Sequence, residues 1–216
     1  MKAPNNMRLN TEAARFPAAY FLDSKVYRQS QLTIPTPTLP TPSFIVDLIG
    51  DTVAKRTVAT EYFDTIHIWM PFISKKRFVQ SVLSPLAKPQ ADAALLILCM
   101  KLITWSPSEQ GVIEEPETPT YLAAKRFLFE LEAAGSLTLQ MAQACILLTI
   151  YELGHAIFPA AYISVGICSR YVMALGISGN KNPHTTNAAE WTKQEERKRV
   201  WWSTVILERY ETLLHP

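Results

Sequence analysis

The chain has 216 residues, 48% of them hydrophobic, enough to bury one sizeable core. Its formal net charge of +2 is nearly neutral, so the broad basic field that drives non-specific phosphate binding is missing. The cysteines Cys99, Cys145 and Cys168 are widely spaced, each in an apolar stretch, and read as reduced thiols packing as small hydrophobes, which excludes a disulfide scaffold.

The first 20 residues lack the continuous apolar core of a secretory signal. The longest apolar runs, residues 93–105 and 142–153, fall short of the ~20 residues that span a bilayer. A soluble, cytoplasmic or nuclear protein is expected. Residues 33–43, TIPTPTLPTPS, carry Pro35, Pro37, Pro40 and Pro42, which remove amide donors and favour extended backbone. The chain therefore divides into a flexible Pro-rich arm over 1–43 and a domain over 44–216.

Helical spacing begins at Val53, with Val58, Tyr62, Phe63, Ile66 and residues 68–70, and Pro71 ends it. Ser74 caps a second helix with Phe78, Val79, Val82 and Leu83 on its apolar side. A third, about 90–105, is apolar on most sides and should be central. A fourth runs from Pro119 to Gly135; Leu122, Phe127, Leu128, Phe129 and Leu131 should face the core, with Lys125, Arg126, Glu130 and Glu132 in water. Thr138 starts a fifth, and a sixth over 159–175 ends at Gly176. Thr192 and Glu195 have the spacing of a capping box for the last helix, which carries Val200, Trp201, Val205, Ile206 and Leu207. The fold class is all-α, a bundle or array of about seven helices.

Catalytic spacings are missing from the sequence: no HExxH, GxxxxGK[ST], GxSxG or GxGxxG. Glu152 and His155 form one Glu-x-x-His pair without the second copy a di-metal bundle needs, and read as a polar helix end. The basic clusters 75–77 and 197–199 read as wet helix faces. Trp201 and Trp202 diverge by about 100° on a helix, and at least one should be core. No catalytic, cofactor-binding or metal-ligating residue is assigned, and the chain is expected not to be an enzyme.

Four segments occur in a telling order: EYFDTIHIWMPFISKKRF, QACILLTIYELG, AYISVGICSRYVMALGI and EERKRVWWSTVILERY. Together they resemble the fungal-specific transcription factor domain, the middle homology region of fungal zinc-cluster transcription factors, over about residues 59–210. The residues carrying the resemblance are His67, Trp69, Pro71 and Phe72, then Glu196, Arg197, Arg199, Trp201, Trp202, Glu208, Arg209 and Tyr210. Glu208 stands where the family commonly has Asp.

The resemblance implies a nuclear regulator of RNA polymerase II genes, acting through a helical regulatory domain that senses small-molecule effectors or protein partners, among them a second copy or a full-length zinc-cluster factor. Family members bind DNA through a six-cysteine zinc cluster. The three cysteines here do not make one, so zinc belongs to full-length members and direct DNA binding is not expected. The domain is also expected to lack the family's C-terminal helices and to leave an apolar patch along the last helix. The alternative reading is a helical enzyme or a binding protein for an apolar small molecule, which would need titratable groups converging on one cavity.

Overall fold

Ser74, Thr118 and Thr138 each turn a side-chain oxygen onto an amide of the following turn, that of Arg77, Tyr121 and Met141 respectively, so three helix starts are fixed by local chemistry. The computed structural model describes residues 39–84, 90–105, 116–177 and 187–214, all within the unit 36–216. The proposed arm lies outside the described residues up to residue 38. Among the described residues there are nine helical segments and no strand, so the chain is all-α.

In chain order these are α1 (Ser43–Ile49), α2 (Thr52–Asp64), α3 (Ile66–Trp69), α4 (Lys75–Ser81), α5 (Ala91–Ile103), α6 (Pro119–Ala133), α7 (Leu139–Gly154), α8 (Ala160–Ala174) and α9 (Ala188–Leu214). Two segments exceed the expected seven. One is α1, which starts at the last residue assigned to the arm and buries Ile45 and Ile49. The other arises because the stretch up to Met70 is broken at Thr65, whose φ/ψ of −120°/−81° is not helical and whose hydroxyl donates to the Glu61 carbonyl at 2.6 Å. Gly50, between α1 and α2, has φ +72°, and a Cβ there would come within 2.9 Å of the Ala54 Cβ, so only glycine fits the turn.

Helix α5 is central, as expected: it packs against α1, α2, α6 and α7, and all but two of its 13 residues are buried. Helix α7 is similarly enclosed and also meets α8, α9 and α6. The C-termini of α6 and α8 end alike. Gly135 and Gly176 take positive φ, and the amides of Ser136 and Ile177 reach back to Leu131 and Val172 at 3.0 and 3.1 Å, satisfying carbonyls the helices leave open. Cys99, Cys145 and Cys168 are free and buried, with the Cys145 and Cys168 Sγ atoms 3.0 Å apart. The hydrogen bond to Cys168 and then burial hold the Cys145 thiol well above its ordinary pKa, so it stays protonated core filler.

Several expectations need correction. Leu122 and Phe129 of α6 are about half exposed, because only the 3–4 spacing through Tyr121, Ala124, Phe127, Leu128 and Leu131 faces the core. Lys125 points inward between them. The Thr192–Glu195 capping box does not form: α9 begins four residues earlier, Asn187 accepts from the Ala189 amide, and Thr192 donates to the Ala188 carbonyl inside the helix. Of the Trp pair one joins the core, as expected, although neither ring is fully buried. Trp201 packs on the core and Trp202 leans edge-on against it, ring centres 4.6 Å apart, with 49% of its surface exposed.

Candidate functional site

The two halves of the signature, 128 residues apart at their extremes of contact, meet in space. Glu196 is 7% exposed and lies on the inward stripe of α9 with Val200, Ser203 and Leu207, so the helix carries a carboxylate to the junction with α4 and α7. There Oε1 accepts from the Ser74 amide at 2.9 Å and from Gln143 Nε2 at 3.0 Å, while Oε2 pairs with Arg77. Gln143 also donates to the Phe72 carbonyl at 3.1 Å. One turn on, Arg199 donates to the Pro71 carbonyl at 3.3 Å and pairs with Glu195 at 3.0 Å. The residues after α3 form no regular element, and the clasp supplies partners for the carbonyls of Pro71 and Phe72 and the amide of Ser74. Arg197 completes the set on the other side of α9, donating to the Leu175 carbonyl at the end of α8 at 2.7 Å.

The basic clusters are therefore not simply wet faces. Arg77, Arg197 and Arg199 each bind a group on another element, while Lys75 and Lys76 are exposed. Sequence spacing showed the i,i+4 pair Glu195–Arg199 but could not show Gln143, which sits in an apolar run with no local partner.

Beside the clasp is a half-open cleft of about 210 Å³, lined by His67, Pro71, Lys75, Trp191, Thr192 and Arg199 among others. His67 packs edge-on against Phe63, ring centres 5.0 Å apart. Burial, then the positive charges of Arg199 and Lys75, hold its pKa below the usual histidine value, so the imidazole is neutral at neutral pH. Its Nδ1 is buried without a hydrogen-bond partner.

The rest of the signature lies elsewhere. Trp69 is exposed; Glu208 accepts from the Ser169 hydroxyl and fastens α9 to α8; Arg209 and Tyr210 are exposed on α9. The structure thus joins His67, Pro71, Phe72, Glu196 and Arg199 into one region, and leaves Trp69, Trp202, Arg209 and Tyr210 on the surface.

Glu152 is no polar helix end. It is fully buried, its Oε1 is 2.8 Å from Lys125 Nζ and accepts from the Tyr121 hydroxyl at 2.9 Å, and Lys125 also donates to Ser164 at 2.9 Å. Oε2 has no partner. Burial, followed by the charge of Glu152, holds the Tyr121 phenol well above its usual pKa, so it remains a donor. His155 turns Nδ1 to the Tyr151 carbonyl of its own helix, 2.8 Å away, and its ring lies tilted against that of Tyr151. Glu152 and His155 do not converge on one ligand, and among the described residues no group of three or more His, Cys, Asp or Glu is placed to hold a metal. No described helix is long and apolar enough to cross a membrane.

Comparison with known proteins places the sequence in a family. The model of the fungal specific transcription factor domain matches residues 59–214, which takes in the clasp and the Lys125–Glu152 pair. The transcription factor BOA15 of Botryotinia fuckeliana is 37% identical over 184 residues, covering 84% of this chain and 98% of that protein. The pigment biosynthesis transcriptional activator pigB of Monascus ruber is 29% identical over 162 residues, 69% of this chain and 28% of pigB. The transcription factor tazR of Aspergillus terreus is 24% identical over 209 residues, 90% of this chain and 32% of tazR. The chain thus spans nearly all of the first relative and about a third or less of the other two. No solved structure matches it. The chain belongs to the family of the fungal specific transcription factor domain.

Proposed function

We propose that the chain regulates transcription of RNA polymerase II genes in the nucleus as a helical regulatory domain that works through protein partners, without gripping DNA itself. The observation that carries this reading is the family match over 59–214. The names of the relatives, each a transcription factor or activator, support it. A near-neutral charge and three cysteines, all of them buried as free thiols, support the part of the reading in which these residues do not themselves contact DNA. The cleft beside His67 is where an effector would act on the clasp, since a ligand there touches both signature segments.

The test is a reporter assay with residues 1–216 fused to a foreign DNA-binding domain. Reporter output should differ from that of the DNA-binding domain alone. Identical output, with the fusion shown to be present and folded, would remove the proposal.

A further inference from the structure

Helix α9 carries two stripes. The inward one, Glu196, Val200, Ser203, Thr204 and Leu207, is buried against the bundle. The second consists of Glu195, Lys198, Trp202, Ile206 and Arg209, which at 100° per residue fall within an arc of about 80° on a side turned away from the first. Trp202 and Ile206 are 49% and 54% exposed, Arg209 is exposed, and Glu195 and Lys198 are partly so.

The spacing along this stripe is 3, 4, 4, 3, the same from either end. A second α9 laid antiparallel about a two-fold axis at Trp202 therefore sets Trp202 on its own counterpart, Lys198 opposite Ile206 and Glu195 opposite Arg209. Each pairing is chemically matched. Two indoles stack at the centre. The aliphatic stem of Lys198 covers Ile206 while its ammonium stays wet. An acid meets a base at both ends. Glu195 already gives Oε1 to Arg199, but a carboxylate has room for a further donor. Trp202 is held ready by its edge contact with Trp201, so little side-chain freedom remains to be lost on association. Self-complementarity of this kind is what an isologous interface requires.

We infer that this face of α9 is an interface between two copies of the chain, paired antiparallel about Trp202. The inference rests on α9 alone and does not depend on the transcriptional reading. Two half-exposed apolar side chains with the stems of Lys198 and Arg209 offer about 400 Å² per copy, or about 800 Å² across two. That falls below the ~1,000 Å² of a stable specific interface, so the dimer should be reversible, with a Kd of about 1–100 μM.

Sedimentation equilibrium of the full 216-residue chain across that range tests it. The expected result is a monomer–dimer equilibrium that Trp202→Ala abolishes and Arg209→Glu weakens by about tenfold or more, since it sets acid against acid. The swap Glu195→Arg with Arg209→Glu should bind about tenfold more tightly than either single variant, because both end pairs re-form with reversed sign while the loss of the Glu195–Arg199 pair is common to the swap and to Glu195→Arg alone. Arg209 is exposed, so these charge variants remain informative if Trp202→Ala fails to fold. A chain monomeric throughout overturns the inference, including the case in which another partner covers this face. So does a dimer indifferent to Trp202→Ala and Arg209→Glu, and a dimer the double swap does not rescue overturns the register.

Discussion

Glu196 and Glu152 are both withdrawn from water, yet their surroundings differ. Glu196 sits near the rim with both oxygens engaged, by a backbone amide, an amide side chain and a guanidinium that is itself 38% exposed. Glu152 lies in the middle, with one oxygen on Lys125 and Tyr121 and the other unpartnered. The first ties together segments more than 120 residues apart and can shed its cation to solvent; the second joins neighbouring helices and cannot. A buried charge stabilises little by itself, but stranding one is costly, and the cost grows with how little water can reach it. Part of the signature, around Glu196 and Arg199, thus forms a clasp at the rim, while the more demanding charge pair lies where the sequence pattern reads as a polar helix end.

The difference is broken most severely by Lys125→Ala, which leaves the Glu152 carboxylate fully buried with only a phenol for company. The expected loss is about 3–5 kcal/mol in urea unfolding. Replacing the pair together, Lys125→Met with Glu152→Leu, should recover most of it, because no charge is then stranded. If the double variant is no more stable than the single, the pair is not the source of the loss. Glu196→Ala should cost less, about 2–3 kcal/mol, since Arg77 can rehydrate while the Ser74 amide and Gln143 lose their acceptor. Losses in the reverse order would mean that the clasp, and not the core pair, is the site that water cannot reach.

How much of this was legible is clear from particular residues. Ser74 and Thr138 were readable as caps, and Gly135 and Gly176 as helix ends, because each acts on amides or carbonyls within one turn. The central place of α5 was readable from its apolar residues on every side. Lys125 reads as solvated and Glu152 as a polar helix end because each is polar on its own helix; only the packing of α6 on α7 makes them partners. Helix α1 does not stand out beside the prolines, because seven residues give too little periodicity. The signature residues were identified, but that His67, Pro71 and Phe72 meet Glu196 and Arg199 depends on contacts across more than 100 residues, to which local spacing is blind.

The two threonines at proposed helix starts sharpen this point at smaller scale. Thr138→Ala removes the acceptor of the Met141 amide and should cost about 1 kcal/mol in thermal or urea unfolding. Thr192→Ala, inside α9, removes only a hydroxyl bonded to the carbonyl four residues back, and should change stability by less than about 0.5 kcal/mol. Equal losses would mean that α9 starts at Thr192 after all.

The gentlest effect concerns His67, next to the clasp. Its folded-state pKa is depressed by burial and by Arg199 and Lys75, so below the unfolded value of about 6.5 the unfolded chain takes up a proton more readily than the native one. The contribution of a neutral His67 is therefore full above that pH and is lost as pH falls through the window beneath it. Urea midpoints measured at stepwise lower pH should decline more steeply for the wild type than for His67→Gln, which cannot titrate. Because His67 is only partly buried, the difference in slope should be small beside the losses above, and parallel slopes would show that the cations around the cleft do not act on it.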